Sequence, residues 1–479
     1  MRRLGLAVIV GLVVLILAGS LNPAREVGAS RAHHLADNHS VFLPIIMSER
    51  SLRRVNAPYF NVPNVTADRF SEMAIFWFGR VTPTENYTDV RVGYNDTDLF
   101  VYTASFDRRI WYDVSPSVNE LAQWDAVTLY LNTTGPVGAQ PAASSFRFVA
   151  QLSDWQPRAS YQATYRGNGS GWVSATTPFT TTPGWRGGHL NDDGDDKGWA
   201  MTFRIPFASL GLAGPPSSGA TWGMAIALHD RDDSGGAPIA DQTWPESATG
   251  NSPGTWGQLH FGLPTYTPPP VSSSSVTTIR HRLNGATVED ASVGGYTVCG
   301  GGVDYWGNWG NTNEGYYNAA RSDFNIQNQS DISDWPCFSK YYATFPLGSI
   351  PAGKKIVSAT LVLHQFGNSD PSTATDSLIQ VLTVAGSWNE STLTWNNAPL
   401  ATENVGGQRV GLVSGCNWPC VPRTWDVSYA VAHSDGQSLG IVLYSADSAY
   451  NSGKYFVSSN TGDWNAAGRP TLIVTYGDP

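Results

Sequence analysis

Apolar residues recur at every second position through long stretches of the chain. Val90, Val92 and Tyr94 share one strand face, as do Leu99 and Val101. Val127, Leu129 and Leu131 follow, then Phe146, Phe148, Ala150 and Leu152, then Trp199, Met201, Phe203 and Ile205, then Trp222, Met224, Ile226 and Leu228. Later stripes are Val357, Ala359, Leu361 and Leu363; Leu439, Ile441 and Leu443; and Leu472, Val474 and Tyr476. Successive strand residues face opposite sides, so this alternation predicts half-buried β-strands. Gly, Asn, Asp, Ser or Pro bounds each run, and neither half carries a helical period of useful length. The expectation is an all-β chain of sandwiches or jelly rolls, without βαβ units.

The period breaks at Thr265 to Ser275, TYTPPPVSSSS, whose three prolines and four serines cannot pack a core. This Pro/Ser-rich linker, 265–275, divides two predicted β-sandwich domains, 50–264 and 276–479. Residues 1–30 read as a signal peptide, with Arg2 and Arg3 ahead of an apolar run from Leu4 to Ala18. Residues 31–49 form an N-terminal spacer. The expectation is a secreted, extracellular protein with no membrane attachment after signal cleavage, since no other apolar run approaches ~20 residues.

Composition narrows the function. Charged residues are 14 % of the 479, aromatics 12 %, and there are 49 glycines, which excludes long disorder and coiled coils. The net charge of −10 comes without a basic run, which excludes a nucleic-acid binder. The acids are 29 Asp against 10 Glu, a bias toward turns and oxygen-ligand metal loops. Cys299, Cys337, Cys416 and Cys420 all lie late in the chain. Export permits disulfides; Cys416 and Cys420 are close enough to close a local loop, which leaves Cys299 with Cys337.

Five phrases in the first half occur in a telling order: Asp89–Asn95 with Asp98–Tyr102 and Phe106-Asp107-Arg108, Trp124–Asn132, Phe203–Leu210, His229–Asp232, and Trp256–Leu259. Together, over about 60–262, they resemble the family 9 carbohydrate-binding modules. The resemblance implies a β-sandwich, usually calcium-bearing, that binds sugar chain ends between two Trp rings and an Arg. Trp124 would be one clamp, and Arg147, on the polar face of its strand, the Arg. Gly250 and Asn251 fill the second clamp position, where Trp244 or Trp111 could substitute. Trp199 and Trp222 fall on apolar stripes and read as core.

Asn191 to Asp196 sets five oxygen-bearing side chains around one Gly, so Asp192, Asp193 and Asp195 are candidate calcium ligands. Asp230 and Asp232, with Asp233, form a second acidic cluster after a strand. The alternative for both is a pair of solvated turns.

In the second half, Phe345–Gly353, Ile356–Leu363, Trp388–Pro399, Trp425–Ser428 and Arg469–Tyr476 are similar to the DNRLRE domains of secreted bacterial proteins, whose relatives include alginate-binding modules. Trp388, Trp395 and Trp425 lie in architectural blocks of that resemblance. Tyr305, Trp306 and Trp309 sit among Gly and Asn off any stripe, either as solvent-facing sugar platforms or as a pinned loop.

No G-x-S-x-G, H-E-x-x-H or P-loop pattern is present, and Glu246 and Glu390 lie in blocks where structural roles suffice. The leading expectation is a secreted, non-catalytic polysaccharide-binding protein that supports carbohydrate catabolism or glycan attachment at the cell surface. Calcium would be structural, and other glycan-degrading proteins are candidate partners. The alternatives are an adhesive extracellular scaffold and, less favoured, an accessory subunit acting on O-glycosyl bonds.

Overall fold

The computed structural model describes residues 53–62, 67–154, 157–295, 304–311, 321–370 and 372–479. The expected signal segment and spacer, and Cys299, lie outside them. The structure is nearly all β, as the alternation predicts. Among the described residues the one α-helix is the single turn Ser428–Ala432, and no helix is long and apolar enough to cross a membrane.

The first half is a sandwich. One layer is a five-stranded antiparallel sheet in the order Ala74–Gly79, Tyr87–Tyr94, Asp98–Phe106, Gly198–Pro206 and Thr180–Arg186. The facing layer runs Arg54–Ala57, Gly257–Phe261, Thr221–His229, Ala126–Asn132, Ser145–Gln151, Gln162–Gly167 and Trp172–Ala175. The stripes read from the sequence, including Val90, Leu129, Phe148, Trp199, Met201 and Trp222, meet between these layers.

The second half repeats the plan. Ala401–Val410, Ser377–Val384, Ser438–Ser445, Ser339–Pro346 and Glu289–Gly294 face a sheet of Ser274–Arg280, Thr471–Gly477, Lys355–Asn368, Lys454–Val457 and Asp323–Ile326. Ala359, Leu361, Ile441, Leu443 and Leu472 fill the space between. Val357 drops off its predicted stripe because the strand bulges between Ile356 and Ser358. Cys416 and Cys420 are bonded, as their spacing suggested, and Cys337 is also in a disulfide.

A third core joins the halves. Ile75, Trp77, Tyr87, Phe100, Tyr102 and Phe106 project from the outer face of the five-stranded sheet and pack on Trp335, Phe338, Tyr342, Trp395, Val442 and Tyr444. Tyr87–Tyr94 and Asp98–Phe106 are therefore buried along their whole length: Asp98–Phe106 carries large apolar groups on both faces, and Tyr87–Tyr94 turns Tyr87, Asp89 and Arg91 to the seam. Several polar groups on this seam are paired across it. Asp89 accepts from Tyr87 Oη at 2.5 Å, Tyr444 Oη at 3.0 Å and Asn328 Nδ2 at 3.0 Å. Asn396 bonds Val81 through both backbone groups, and Asn56 and Asn404 pair likewise. A parallel bridge, Arg54 to Glu403, makes the large sheet continuous from one half to the other. In the 265–275 stretch, Tyr266 Oη donates to the Ile356 carbonyl at 2.6 Å and the Ser272 amide to Asp478.

The seam predicts one cooperative unfolding transition for residues 53–479 in urea. Trp395 touches Tyr87, Phe106, Trp309 and Tyr444, so Trp395→Ala is expected to lower stability by about 3–5 kcal/mol. Two resolved transitions would contradict the shared core.

Candidate functional site

The strand Ser145–Gln151 sends Phe146, Phe148 and Ala150 into the first core and turns Arg147 to the opposite, outer face of the sheet. Antiparallel register places Tyr130 and Tyr165 on either side of Arg147 in one row across three strands. The guanidinium lies 3.7 Å from the Tyr165 ring centre and 5.7 Å from that of Trp172. Trp172 opens the last strand of this sheet, and its ring is parallel to that of Trp256 within 5°, with centres 6.4 Å apart. Tyr130 contacts both rings.

A single loop fixes these rings. Trp172 Nε1 donates to the Gly250 carbonyl at 3.1 Å and Trp256 Nε1 to that of Thr249 at 2.9 Å. Residue 250 must be Gly, since a Cβ there would come within 2.4 Å of Tyr130 Oη. Arg147 Nε has no hydrogen-bond partner. The row thus offers flat half-buried rings around a guanidinium, which suits a ligand with apolar faces and hydroxyl edges.

The sequence placed Arg147 correctly on the polar face but missed Tyr130, Tyr165 and Trp172. The two tyrosines were findable from register, as the non-striped positions opposite Arg147. Trp172 was not, because only the folded hairpin carries it to the loop at Gly250. Of the two substitutes expected there, Trp244 is corrected. Trp244 is 1 % exposed and packs on Phe76 with centres 4.3 Å apart. Trp111 is half-buried, and its amide binds Asp125. Trp124 is half-buried with Arg231 over one face, 4.1 Å from its centre. That cation is held in turn by the carbonyls of Gln123, Asp233 and Gly236.

The second-half platform is corrected as well. Trp306 and Trp309 are 5 % and 2 % exposed and pack against Trp335, so their loop is pinned into the seam. Tyr305 is partly exposed and meets Trp335 edge-on. Rings in a Gly- and Asn-rich loop found cover on Trp335 and Trp395, which lie far along the chain and which the local sequence pattern does not place beside them.

Acidic residues gather at the strand ends near Trp111 and Trp124. Asp107 follows one strand of the five-stranded sheet, and Asp125 and Asp230 flank two strands of the facing one. All three are buried, and a carboxylate oxygen of each lies within 4.8 Å of the others. Asp107 accepts from the Arg109 amide and Trp199 Nε1, and Asp125 from the amides of Trp111 and Arg231. Asp230 Oδ1 has no partner. Burial first, and mutual repulsion second, push the Asp107 carboxyl well up; the same causes raise Asp125, and Asp230 is pushed up to about 7 by burial and then by Asp232. Two oxygens on one Ca²⁺, each at about 2.4 Å, are at most about 4.8 Å apart, so this all-oxygen set can surround a calcium ion. The orphaned Asp230 oxygen is the group such an ion would satisfy.

Of the other predicted ligands, Asp192, Asp193 and Asp195 do not converge with this set, and Asp232 lies beside it without joining it. Asp192 caps the Gly194 amide of its own turn, Asp195 pairs with Arg108 at 2.7 Å, and Asp193 is exposed. Asp232 is half-buried beside Arg108 and Arg109, whose charges act on its carboxyl. Asp230 alone of the five belongs to the triad. Asp107 and Asp125 stand at strand ends within two of the five ordered phrases, but nothing local in sequence shows that two sheets bring them together.

A separate cleft of about 400 Å³ lies between Thr182–Arg186 and Ser330–Ile332. Its two charged lining groups, Arg186 and Asp331, are paired with each other at 2.7 Å, so it offers little free polar chemistry.

Comparison with known proteins adds the following. No curated protein matches the chain. Two solved structures of a family 9 carbohydrate-binding module from Caldicellulosiruptor kristjanssonii are similar at low identity. The complex with cellotriose aligns at 14 % identity over 44 % of this chain and 95 % of that one, with a TM-score of 0.32. The complex with glucose aligns at 15 % over 45 % and 100 %, with a TM-score of 0.33. Residues 311–476 match the model of carbohydrate-binding module family 96, so the second half of the chain contains a segment similar to a family of carbohydrate binders.

Proposed function

We propose that this chain is a secreted, non-catalytic carbohydrate-binding protein that holds a polysaccharide on the outer sheet face around Arg147. The observation that carries the proposal is the row Tyr130, Arg147, Tyr165 with Trp172, in which rings and cation are fixed before any ligand arrives. Pyranose rings have C–H faces that stack on such rings, and hydroxyls that accept from a guanidinium. Preorganisation lowers the ordering cost of binding. The family match over 311–476 and the resemblance of the first half to family 9 modules support the same class of ligand.

The non-catalytic part of the proposal rests on the acids. Glu246 is held by Arg53 at 2.5 Å and Glu390 accepts from Asn460 Nδ2 at 2.6 Å. Both are occupied in contacts that tie chain segments together, whereas glycoside hydrolysis needs two carboxylates facing a cleft. Calcium at Asp107, Asp125 and Asp230 would staple the two sheets of the first half where Trp111 and Trp124 lie.

Affinity electrophoresis against xylan, cellulose derivatives, alginate and pectin tests the binding site. Arg147→Ala and Trp172→Ala are each expected to weaken retention on the preferred glycan by about 2 kcal/mol, roughly thirtyfold. Unchanged retention in both variants would move the site elsewhere. If the wild-type protein is folded and retained by no glycan, the scaffold alternative takes over.

Calcium has its own readout. In chelator the three carboxyls keep protons that the unfolded chain loses near pH 4, so the folded state binds more protons between about pH 4 and the raised folded values. Stability of the metal-free protein should therefore fall as pH rises through that window, up to about pH 7 for Asp230. Millimolar Ca²⁺, which takes the ionised groups, should raise the thermal midpoint at pH 7 by several degrees. An identical midpoint with calcium and with chelator would remove the ion from the account.

A further inference from the structure

Two tryptophans stand in solvent among the described residues: Trp418, 52 % exposed, and Trp464, 70 % exposed. They are neighbours, with ring centres 5.3 Å apart and planes at 88°, so together they form an open corner. The corner continues into half-buried rings, Phe366 at 5.9 Å from Trp418 and Tyr455 at 6.2 Å from Phe366.

Both indoles are held in place. Trp418 is the middle residue of the loop closed by Cys416 and Cys420. Trp464 is the second residue of the turn Asp463–Gly468, whose Asp463 is bound by Arg469 at 2.6 Å and Arg282 at 3.2 Å. Its ring lies so close to Gly462 that a Cβ there would meet it at 2.8 Å. Large rings fixed in water, at a cost to the free protein, are a feature of binding surfaces.

We infer that Trp418 and Trp464 form a second sugar-binding surface, which stacks on the pyranose faces of a polysaccharide chain. The inference rests on the carbohydrate-binding reading proposed above, but it uses different residues in the other half. Two observations select a glycan as occupant. The rings are interrupted by polar groups, with Asn417 next to Trp418 and the exposed Arg282–Asp463 pair next to Trp464, as a ligand with both C–H faces and hydroxyls requires. A protein partner of the usual kind would want a continuous apolar patch with charge kept to its rim. Both tryptophans also lie within the segment 311–476 that matches a carbohydrate-binding family. The Trp306 and Trp309 pair expected to serve this half is buried, and among the described residues of this half Trp418 and Trp464 are the exposed tryptophans.

Isothermal titration of the full chain with the soluble glycan that retains it best tests the inference, using Trp418→Ala/Trp464→Ala, Arg147→Ala and the triple variant. The double Trp variant should raise the dissociation constant about tenfold through loss of the second contact. Arg147→Ala should leave residual binding, and the triple variant none. Since both rings are exposed, the thermal midpoint should not move; Trp464→Ala alone, the more exposed ring, gives the same sign if the double variant misfolds. Wild-type affinity in the double variant, with loss in Arg147→Ala, would overturn the corner and leave the Arg147 platform standing. Loss in the double variant alone would uphold the corner and overturn the platform. No heat and no retention on any glycan with folded wild-type protein would overturn both.

Discussion

The structure depends on one buried seam, where the five-stranded sheet of the first half is covered on its second face by the second half. Lys340 sits at its centre. The ammonium lies 4.0 Å from the ring centre of Trp77, 3.8 Å from Trp395 and 4.4 Å from Tyr87. Burial pushes it well below the ordinary lysine range, and the charge of Asp89 acts in the opposite sense. Asp89 itself is satisfied by three donors, two of them from the second half. A buried charge is tolerable only when its partners sit in the right places. This seam therefore specifies one arrangement of the halves, where an oily contact would accept several.

That constraint sorts the tryptophans. Trp199, Trp222 and Trp425 fill the cores within halves. Trp77, Trp306, Trp309, Trp335 and Trp395 are consumed by the seam. Trp172 and Trp124 remain half-buried on the outer surface of the first half, and Trp418 and Trp464 stand out from the second. Because the halves share a core, the Arg147 row and the Trp418–Trp464 corner are carried on one body. If both take the same chain, their separation is set by the fold, and the gain in avidity depends on geometry more than on linker length.

The all-β architecture was legible because alternation is a local signal, and nearly every predicted stripe points into a core. The seam was harder to see. Phe100, Tyr102 and Phe106 occupy the face opposite Leu99 and Val101, so the strand Asp98–Phe106 is apolar on both sides. That double pattern marks a strand with no solvent face, but the sequence does not say what covers it. Arg147 was readable as a polar residue between two core phenylalanines. The triad Asp107, Asp125 and Asp230 was not, since its members come from both sheets and converge only when the sandwich closes. The loop of Tyr305, Trp306 and Trp309 misled for the same reason: its cover, Trp335 and Trp395, is brought beside it only by folding.

The central claim is that sugar lies along Tyr130, Arg147, Tyr165 and Trp172. A crystal of the protein soaked with an oligosaccharide of the glycan it retains best tests this most directly. The account predicts a pyranose ring stacked on this row with a hydroxyl within hydrogen-bond distance of the Arg147 guanidinium. Well-ordered sugar in the cleft beside Arg186 and Asp331, with the Arg147 row bare, would contradict it.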